Sequence, residues 1–273
     1  CIRVSLTVTP PLTVRRSTLS RCCTSCPNQY RASGRSPALM ALLSVHQSVG
    51  VPQPLKLFGT EEQKRRWMPR LARGAVSAFA LTEPQAGSDA SDLRTRARRD
   101  GDHYVLSGAK QFITSGSHAG MVIVFAVTDP QAGKKGISAF IVPTDTPGFS
   151  VVRVEDKLGQ HASDTCQIAF EDLRVPVANR LGEEGEGYRI ALANLEGGRI
   201  GIAAQSVGMA RGAWQAALAY ARDRIAFGRP IAEHQAVAFM LADMAVAVHP
   251  EDARYSDFYG FIPVDRIGRG RGV

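Results

Sequence analysis

The spacing of apolar positions changes twice along this 273-residue chain, and the two changes divide it. From Pro37 the period is helical, with Leu39, Leu42, Leu43 and His46 on one side, ahead of a turn at Gly50 to Pro54. Thr60-Glu-Glu-Gln63 has the form of a capping box, so a short helix is expected to run on through Lys64 to Leu71. From 77 to about 180 the chain alternates, or runs apolar in short stretches broken by Gly and Pro, as strands do. Thr95 to Leu106 reads as two alternating runs joined at Asp100-Gly101, a hairpin signal. Met121 to Thr128, Ile137 to Val142, Val151 to Val154 and Thr165 to Phe170 add further strands, and antiparallel strands so spaced predict a small barrel or sandwich.

Leu181-Gly-Glu-Glu-Gly-Glu-Gly-Tyr188 marks the return to helix. Its glycines suggest a phosphate loop, but three glutamates would repel phosphate and no βαβ unit surrounds it, so a hinge is expected. One long helix follows over 188–227, carried by Ile190, Leu195, Ile202, Met209, Ala213, Ala217 and Tyr220. Gly197 and Gly198 lie inside it, each costing about 1 kcal/mol relative to Ala, which suits a place where something packs on bare backbone. Glu233 to Val248 predicts a second amphipathic helix, stopped by His249-Pro250, and 251–273 lose the pattern.

Composition narrows the function classes. With 44% hydrophobic and 21% charged residues the chain reads as globular, and it is long enough for a sizeable core. Its net charge of +8 would ordinarily suggest nucleic acid or an anionic membrane. However, seven of the 33 basic residues and none of the 25 acidic ones fall in the first 60 positions, leaving 26 against 25 in a nearly neutral body. No nucleic-acid partner is therefore expected. The longest apolar run, Ala119 to Val127, is far short of the roughly 20 residues that span a bilayer.

Four of the five cysteines (Cys1, Cys22, Cys23, Cys26) sit in the head, where Cys23 and Cys26 have metal-like spacing but no second pair or close His, so no metal site is expected. The lone body cysteine, Cys166, suits a reducing compartment. Residues 1–36 are rich in Arg and Ser and free of acid, like a transit peptide, yet begin with Cys1 and are interrupted by Pro10-Pro11 and Pro27. A disordered or artefactual leader is expected there.

The chemistry is concentrated in two stretches. Phe79-Ala-Leu-Thr-Glu-Pro-Gln-Ala-Gly-Ser-Asp89 reads as a short strand running into a bend where Pro84 and Gly87 let the backbone approach a ligand and Thr82 and Ser88 offer hydroxyls. Lys110-Gln-Phe-Ile-Thr-Ser-Gly116 again ends a strand with an aromatic and a hydroxyl before a Ser-Gly turn. Each alone is what ordinary turns are made of. Together they could hold one flat heterocycle with polar edges.

Thr-Glu-Pro-x-Ala-Gly-Ser-Asp followed by Gly-x-Lys-x-Phe-Ile-Thr-x-Gly resembles the acyl-CoA dehydrogenase family of flavoproteins, over roughly residues 37 to 249. The resemblance implies an α+β multidomain architecture. Its parts would be a leader over 1–36, a remnant of an N-terminal helical domain over 37–76, an antiparallel β-barrel or sandwich binding flavin over 77–182, a truncated C-terminal helical bundle over 183–249, and an irregular tail over 250–273.

The resemblance also implies FAD as cofactor. Phe79, Ala80, Leu81, Thr82, Gly87 and Ser88, with Phe112, Ile113 and Thr114, would line the flavin. Thr82 and Thr114 would be the hydroxyls at its edge, and Phe112 would pack on the ring where other members often have Trp. Fixed donors there would stabilise the charge that reduction places on the ring nitrogens.

Ser88, Glu196 and Arg199 would contact the acyl-CoA, Glu196 standing where Asp is commoner. Arg224, Phe227 and Gln235 match residues that reach the FAD of a neighbouring subunit, Arg as a rigid fork for pyrophosphate, so a homo-dimer or tetramer is expected.

The reaction implied is α,β-dehydrogenation of an acyl-CoA, with a carboxylate taking the α-proton and a hydride passing to flavin. In most of the family that carboxylate is a Glu lying beyond the equivalent of residue 273. In some branched- and long-chain members it stands one position before the Arg of the CoA segment, here Gly198. No catalytic base is therefore expected within these residues. An electron-transfer flavoprotein is the implied acceptor, with a bacterial cytoplasm or a mitochondrial matrix as home. Two alternatives stay open: a flavin oxidase or monooxygenase of the same fold, and a non-catalytic fragment.

Overall fold

The computed structural model describes residues 2–3, 20–21, 50–161 and 163–248. The expected helix from Pro37, the Cys23–Cys26 pair and the tail after residue 250 lie outside the described residues. So does the leader, apart from a two-residue bridge between β1 (Ile2–Arg3) and β2 (Ser20–Arg21).

Helix α1 (Pro52–Phe58) starts with its own proline at the first position, where no backbone donor is lost. Helix α2 (Glu61–Ala72) begins at the expected capping box. The Thr60 hydroxyl accepts from the Gln63 amide at 3.2 Å, and Gln63 Oε1 accepts from the Thr60 amide at 3.0 Å. Gln63 Nε2 donates to the carbonyls of Ala178 and Arg180 at 2.8 and 2.7 Å, so the same side chain that starts the helix also ties it to the far end of the sheet.

The sheet contains β3 (Ser77–Ala80), β4 (Arg96–Asp100), β5 (His103–Thr114), β6 (Met121–Val127), β7 (Ile137–Pro143), β8 (Phe149–Val154), β9 (Thr165–Pro176) and β10 (Arg180–Leu181). Its order is β10-β7-β6-β4-β5-β9-β8, with β3 added alongside β6. Two features depart from the antiparallel barrel or sandwich expected from strand spacing: some pairings are parallel, and no barrel closes. The pairings of β3 and β4 with β6 are parallel, and the terminal strands β8 and β10 do not pair with each other, so the sheet is mixed and open. Strand spacing carries no record of which strands become neighbours, because parallel pairing arises from a crossover made elsewhere in the chain.

Two cores share this sheet, and β6 and β7 face both. Val122, Val124, Ala126, Phe140 and Val142 enter one core with Tyr104, Leu106, Ile113, Cys166, Ile168 and Phe170. The intervening Met121, Ile123, Phe125, Ile137, Ala139 and Ile141 enter the other, under Leu55, Trp67, Ile190 and Ala191 of the helices. Burial on both sides explains why these strands read as unbroken apolar runs rather than alternation. The β4–β5 hairpin forms as expected but turns one residue later, with Asp100 opposite His103 and a left-handed Gly101 first in the two-residue loop.

Segment 181–188 is fastened rather than hinge-like. Gly185 N donates to Ser138 Oγ at 2.9 Å, and the Tyr104 hydroxyl to Glu184 at 2.5 Å. Helix α3 (Gly187–Asp223) stops short of the expected end. Phe227 and Gly228, both left-handed, turn a small hairpin between β11 (Ile225–Ala226) and β12 (Arg229–Pro230) before α4 (Gln235–Val248). A reversal that takes up four to six residues cannot be part of a helix, whatever their apolar spacing. Among the described residues no helix is long and apolar enough to cross a membrane.

Candidate functional site

The two chemistry-bearing stretches come together at one end of the sheet. β3 ends at Ala80, and the Thr82 carbonyl accepts from the Gln111 amide at 2.9 Å, linking the bend after β3 to the last turn of β5. Here β5 is irregular. Its register against β9 shifts between Lys110 and Ile113, and Phe112 within that shift is left-handed at φ +58°. A second left-handed residue, Ser115 at φ +63°, follows Thr114. Such a backbone costs a non-glycine residue of order 1–3 kcal/mol and persists only where its surroundings impose it.

The bulge turns Phe112 outward, where it is 59% exposed, while Ile113 drops into the core. The turn after Thr114 is held by Asp164, whose Oδ2 accepts from the Ser117 amide at 2.9 Å and its hydroxyl at 2.7 Å. Burial works against the Asp164 carboxylate, but the Ser117 and Cys166 donors outweigh it and keep its pKa below the ordinary value. Burial, with Asp164 beside it, pushes the Cys166 thiol up to about 11.

The hydroxyls of Thr82 and Thr114 are half-buried and make no hydrogen bond among the described residues, leaving both free to donate to a ligand. Gly87 and Ser88 lie exposed on the bend, and nothing stands within 4 Å of where a Gly87 Cβ would be. Other expected contacts are turned away. Phe79 stacks on Phe125 with ring centres 4.9 Å apart, and Ala80 and Leu81 are buried in opposite cores. At Ala80, Leu81 and Ile113, therefore, only backbone could face a ligand, while the Phe79 ring is partly buried.

Reading the motifs residue by residue missed the pair that joins them. Lys110 Nζ donates to Glu83 Oε1 at 2.7 Å and to the Leu81 carbonyl at 3.0 Å, with side chains 0% and 2% exposed. Glu83 also accepts from the Arg94 and Thr95 amides at 2.7 and 3.1 Å and from Gln85 Nε2 at 2.8 Å. Burial pulls the Lys110 ammonium down to about 8 even with Glu83 adjacent. It also works against the Glu83 carboxylate, but Lys110 and the amide donors outweigh it and hold the pKa low, so both groups are charged at neutral pH. The available signal was one acidic and one basic residue, Glu83 and Lys110, in two motifs already expected to meet.

Family models match nearly the whole described body. The N-terminal domain of acyl-CoA dehydrogenase matches residues 30–75, the middle domain 78–173 and the C-terminal domain 185–251. The chain belongs to the acyl-CoA dehydrogenase family.

An acyl-CoA dehydrogenase of Bacillus subtilis is 53% identical over 217 residues, covering 79% of this chain and 57% of that protein. A short-chain-specific acyl-CoA dehydrogenase of Clostridium acetobutylicum is 48% identical, with 78% and 56% covered. The solved structure of butyryl-CoA dehydrogenase from Megasphaera elsdenii superposes with a TM-score of 0.76 at 42% identity, over 81% of this chain and 57% of that one. The chain thus spans a little over half the length of the curated relatives it matches.

The remaining positions singled out by family resemblance lie on α3 and beyond. The first turns of α3 pack on the sheet through Ile190, Ala191 and Leu195, in the same core as Phe79 and Leu81. Glu196 and Arg199 are exposed just beyond that contact, and Gly198 is buried. Arg224, Phe227 and Gln235 are not brought to this site. A helix of 37 residues is about 55 Å long, so they stand at its far end, with Phe227 97% exposed on the hairpin tip.

Proposed function

We propose that this chain carries the flavin and thioester recognition of an FAD-dependent acyl-CoA dehydrogenase, which forms the α,β-double bond of an acyl-CoA. The observation that carries the reading is the pair of unpartnered hydroxyls, Thr82 and Thr114, flanking an exposed Phe112 on a strained bulge. Two donors and an apolar plate suit a flat ring system with a polar edge, so the residues present fit FAD.

When bound, FAD supplies the hydride acceptor. The chain's own part is to hold and orient. Thr82 and Thr114 donate to the ring edge where negative charge grows. Phe112 covers the ring, and the open backbone at Gly87 and Ser88 admits the phosphate or thioester arm. Arg199, Glu196 and Ser88 receive the CoA portion.

The hairpin tip, remote from its own sheet, presents Arg224, Phe227 and Gln235 to the cofactor of a second copy, so this reading includes a homo-oligomer. Gly198 supplies no carboxylate at the helical position, so removal of the α-proton depends on a base that these residues do not provide. An electron-transferring flavoprotein is the acceptor in this reading. It is supported by a 46% identical chain, TM-score 0.78, in the solved structure of the electron transferring flavoprotein of Acidaminococcus fermentans. A second reading, an oxidase, is favoured by 36% identity to the prolyl acyl carrier protein oxidase AnaB.

Titrating the chain with FAD and following flavin fluorescence tests the reading. Thr82→Val and Thr114→Val are each expected to weaken uptake about tenfold, the value of one lost hydrogen bond. Absence of uptake, or uptake indifferent to both substitutions, would overturn it. Hydrogen peroxide formed in air from a bound thioester would favour the oxidase.

A further inference from the structure

We infer that the buried Glu83–Lys110 pair is the positioning element of the flavin edge, setting the Thr82 hydroxyl and the Phe112 ring in register with each other. The inference rests on the flavin reading for its ligand. It goes beyond that reading by assigning a role to two residues whose side chains are shut away from the surface.

The geometry supports this in three steps. The pair occupies the gap between the motifs: Lys110 reaches the Leu81 carbonyl, one residue before Thr82, and is itself two residues before Phe112. The 83–86 bend closes on itself, Glu83 and Ala86 exchanging backbone hydrogen bonds at 3.0 and 3.1 Å, but regular strand pairing does not fix its place against β4 and β5. Pro84 and Gly87 interrupt strand pairing in one segment, and the β5 register slips in the other. Finally, every bond of the Glu83 carboxylate is directional and local, to Lys110, Gln85 and the amides of Arg94 and Thr95.

Burying two charges is a poor way to gain stability, since apolar side chains of similar size do as well or better. What the ion pair adds over an apolar filling is orientation. The carboxylate holds the bend at 83–86 against the start of β4, while the ammonium holds the Leu81 carbonyl against β5. With both bonds made, Thr82 and Gln111 meet in one register and the bulge at Phe112 is held open.

The test compares the full chain with Glu83→Gln, Lys110→Met, the neutral double variant Glu83→Gln/Lys110→Met, and a control, Thr60→Ala, that weakens the helix cap elsewhere. Without FAD, hydrogen exchange at the Gln111 amide and across 82–88 is expected to rise at least tenfold in the pair variants, while β6 and β7 amides keep wild-type protection. With FAD, the dissociation constant is expected to rise at least tenfold and the visible flavin band to change shape, neither of which Thr60→Ala should do.

Uniform loosening of the whole sheet, or local loosening with unchanged FAD affinity and spectrum, would overturn the inference. If wild type takes up no FAD, the functional reading fails and the exchange result alone decides whether the pair sets the register. Should either single variant fail to fold, the double variant carries the same comparison.

Discussion

The sheet and the α3–α4 helices treat their apolar side chains in opposite ways. Within the sheet, β6 and β7 are buried on both faces, and their large side chains, Phe125, Phe140, Ile123 and Ile141, are 0% exposed. On the helical pair, Tyr220, Phe239, Met240 and Val246 are each about 60% exposed, and Trp214 Nε1 donates to the Leu241 carbonyl at 3.0 Å across the two helices. The β6–β7 centre of the sheet meets its own packing requirements, although edge strand β8 leaves Val152 and Val154 more than half exposed, and the helical pair presents surface of the kind that partners cover. Residues that act within the chain should therefore cluster in the sheet, and residues that act on a neighbour should cluster on the helices.

Substitutions can break or sharpen that contrast. The largest effect is expected from Phe125→Ala, which empties a site between Phe79 and the helices and should cost about 3–5 kcal/mol in chemical denaturation. A loss below 1 kcal/mol would mean that the second core is loosely packed.

Next in size is a pH effect from Lys110. Its folded value of about 8 lies below the ordinary 10.5, so below pH 8 its charge opposes folding, and the penalty lifts as pH rises from about 8 to 10.5. Relative to Lys110→Met, wild type should gain up to about 3 kcal/mol over that window. Glu83 acts in the acid range with the opposite sense. Its lowered pKa contributes stability above its ordinary 4.5 that is lost as pH falls through the folded value. A flat difference between wild type and Lys110→Met from pH 7 to 10.5 would show that the ammonium is not buried.

Gly187→Ala tests the junction of the two halves. A Cβ there would stand 2.7 Å from the Ser138 carbonyl carbon and 2.8 Å from the Ile137 oxygen, both backbone, so α3 must shift as it leaves the sheet. A loss of about 1–3 kcal/mol is expected in thermal melts followed by circular dichroism.

The smallest effect belongs to the exposed helical face. Phe239→Ser should change the stability of an isolated chain by less than about 0.5 kcal/mol. If the melting temperature rises with concentration in wild type and not in the variant, a second copy covers that face in solution.

Most element positions were legible in the sequence because they rest on local chemistry. The capping box at Thr60–Gln63 needs only four residues, and the runs Met121–Val127 and Ile137–Pro143 identify strands whatever their neighbours. Strand partners were not legible. The parallel placement of β3 and β4 beside β6 leaves no trace in spacing, and the open edges at β8 and β10 exclude the closed barrel that was one of the two expected forms. Helix α3 was read too long: the apolar positions that carried it end at Tyr220, and past Asp223 the chain turns at the left-handed Phe227–Gly228 pair.

At the candidate site, the hydroxyls of Thr82 and Thr114 and the ring of Phe112 could be named from motif chemistry alone. By itself, then, the sequence determined which side chains carry a hydroxyl donor or an aromatic ring, because donor type and aromatic character belong to single residues. Tertiary structure alone decided which of them are presented. The bulge in β5 sends Phe112 out and Ile113 in, and a lysine and a glutamate 27 positions apart hold each other in a space that water does not reach. The physical reason is that exposure and ion pairing depend on what lies across a gap, and the chain order does not specify what lies there.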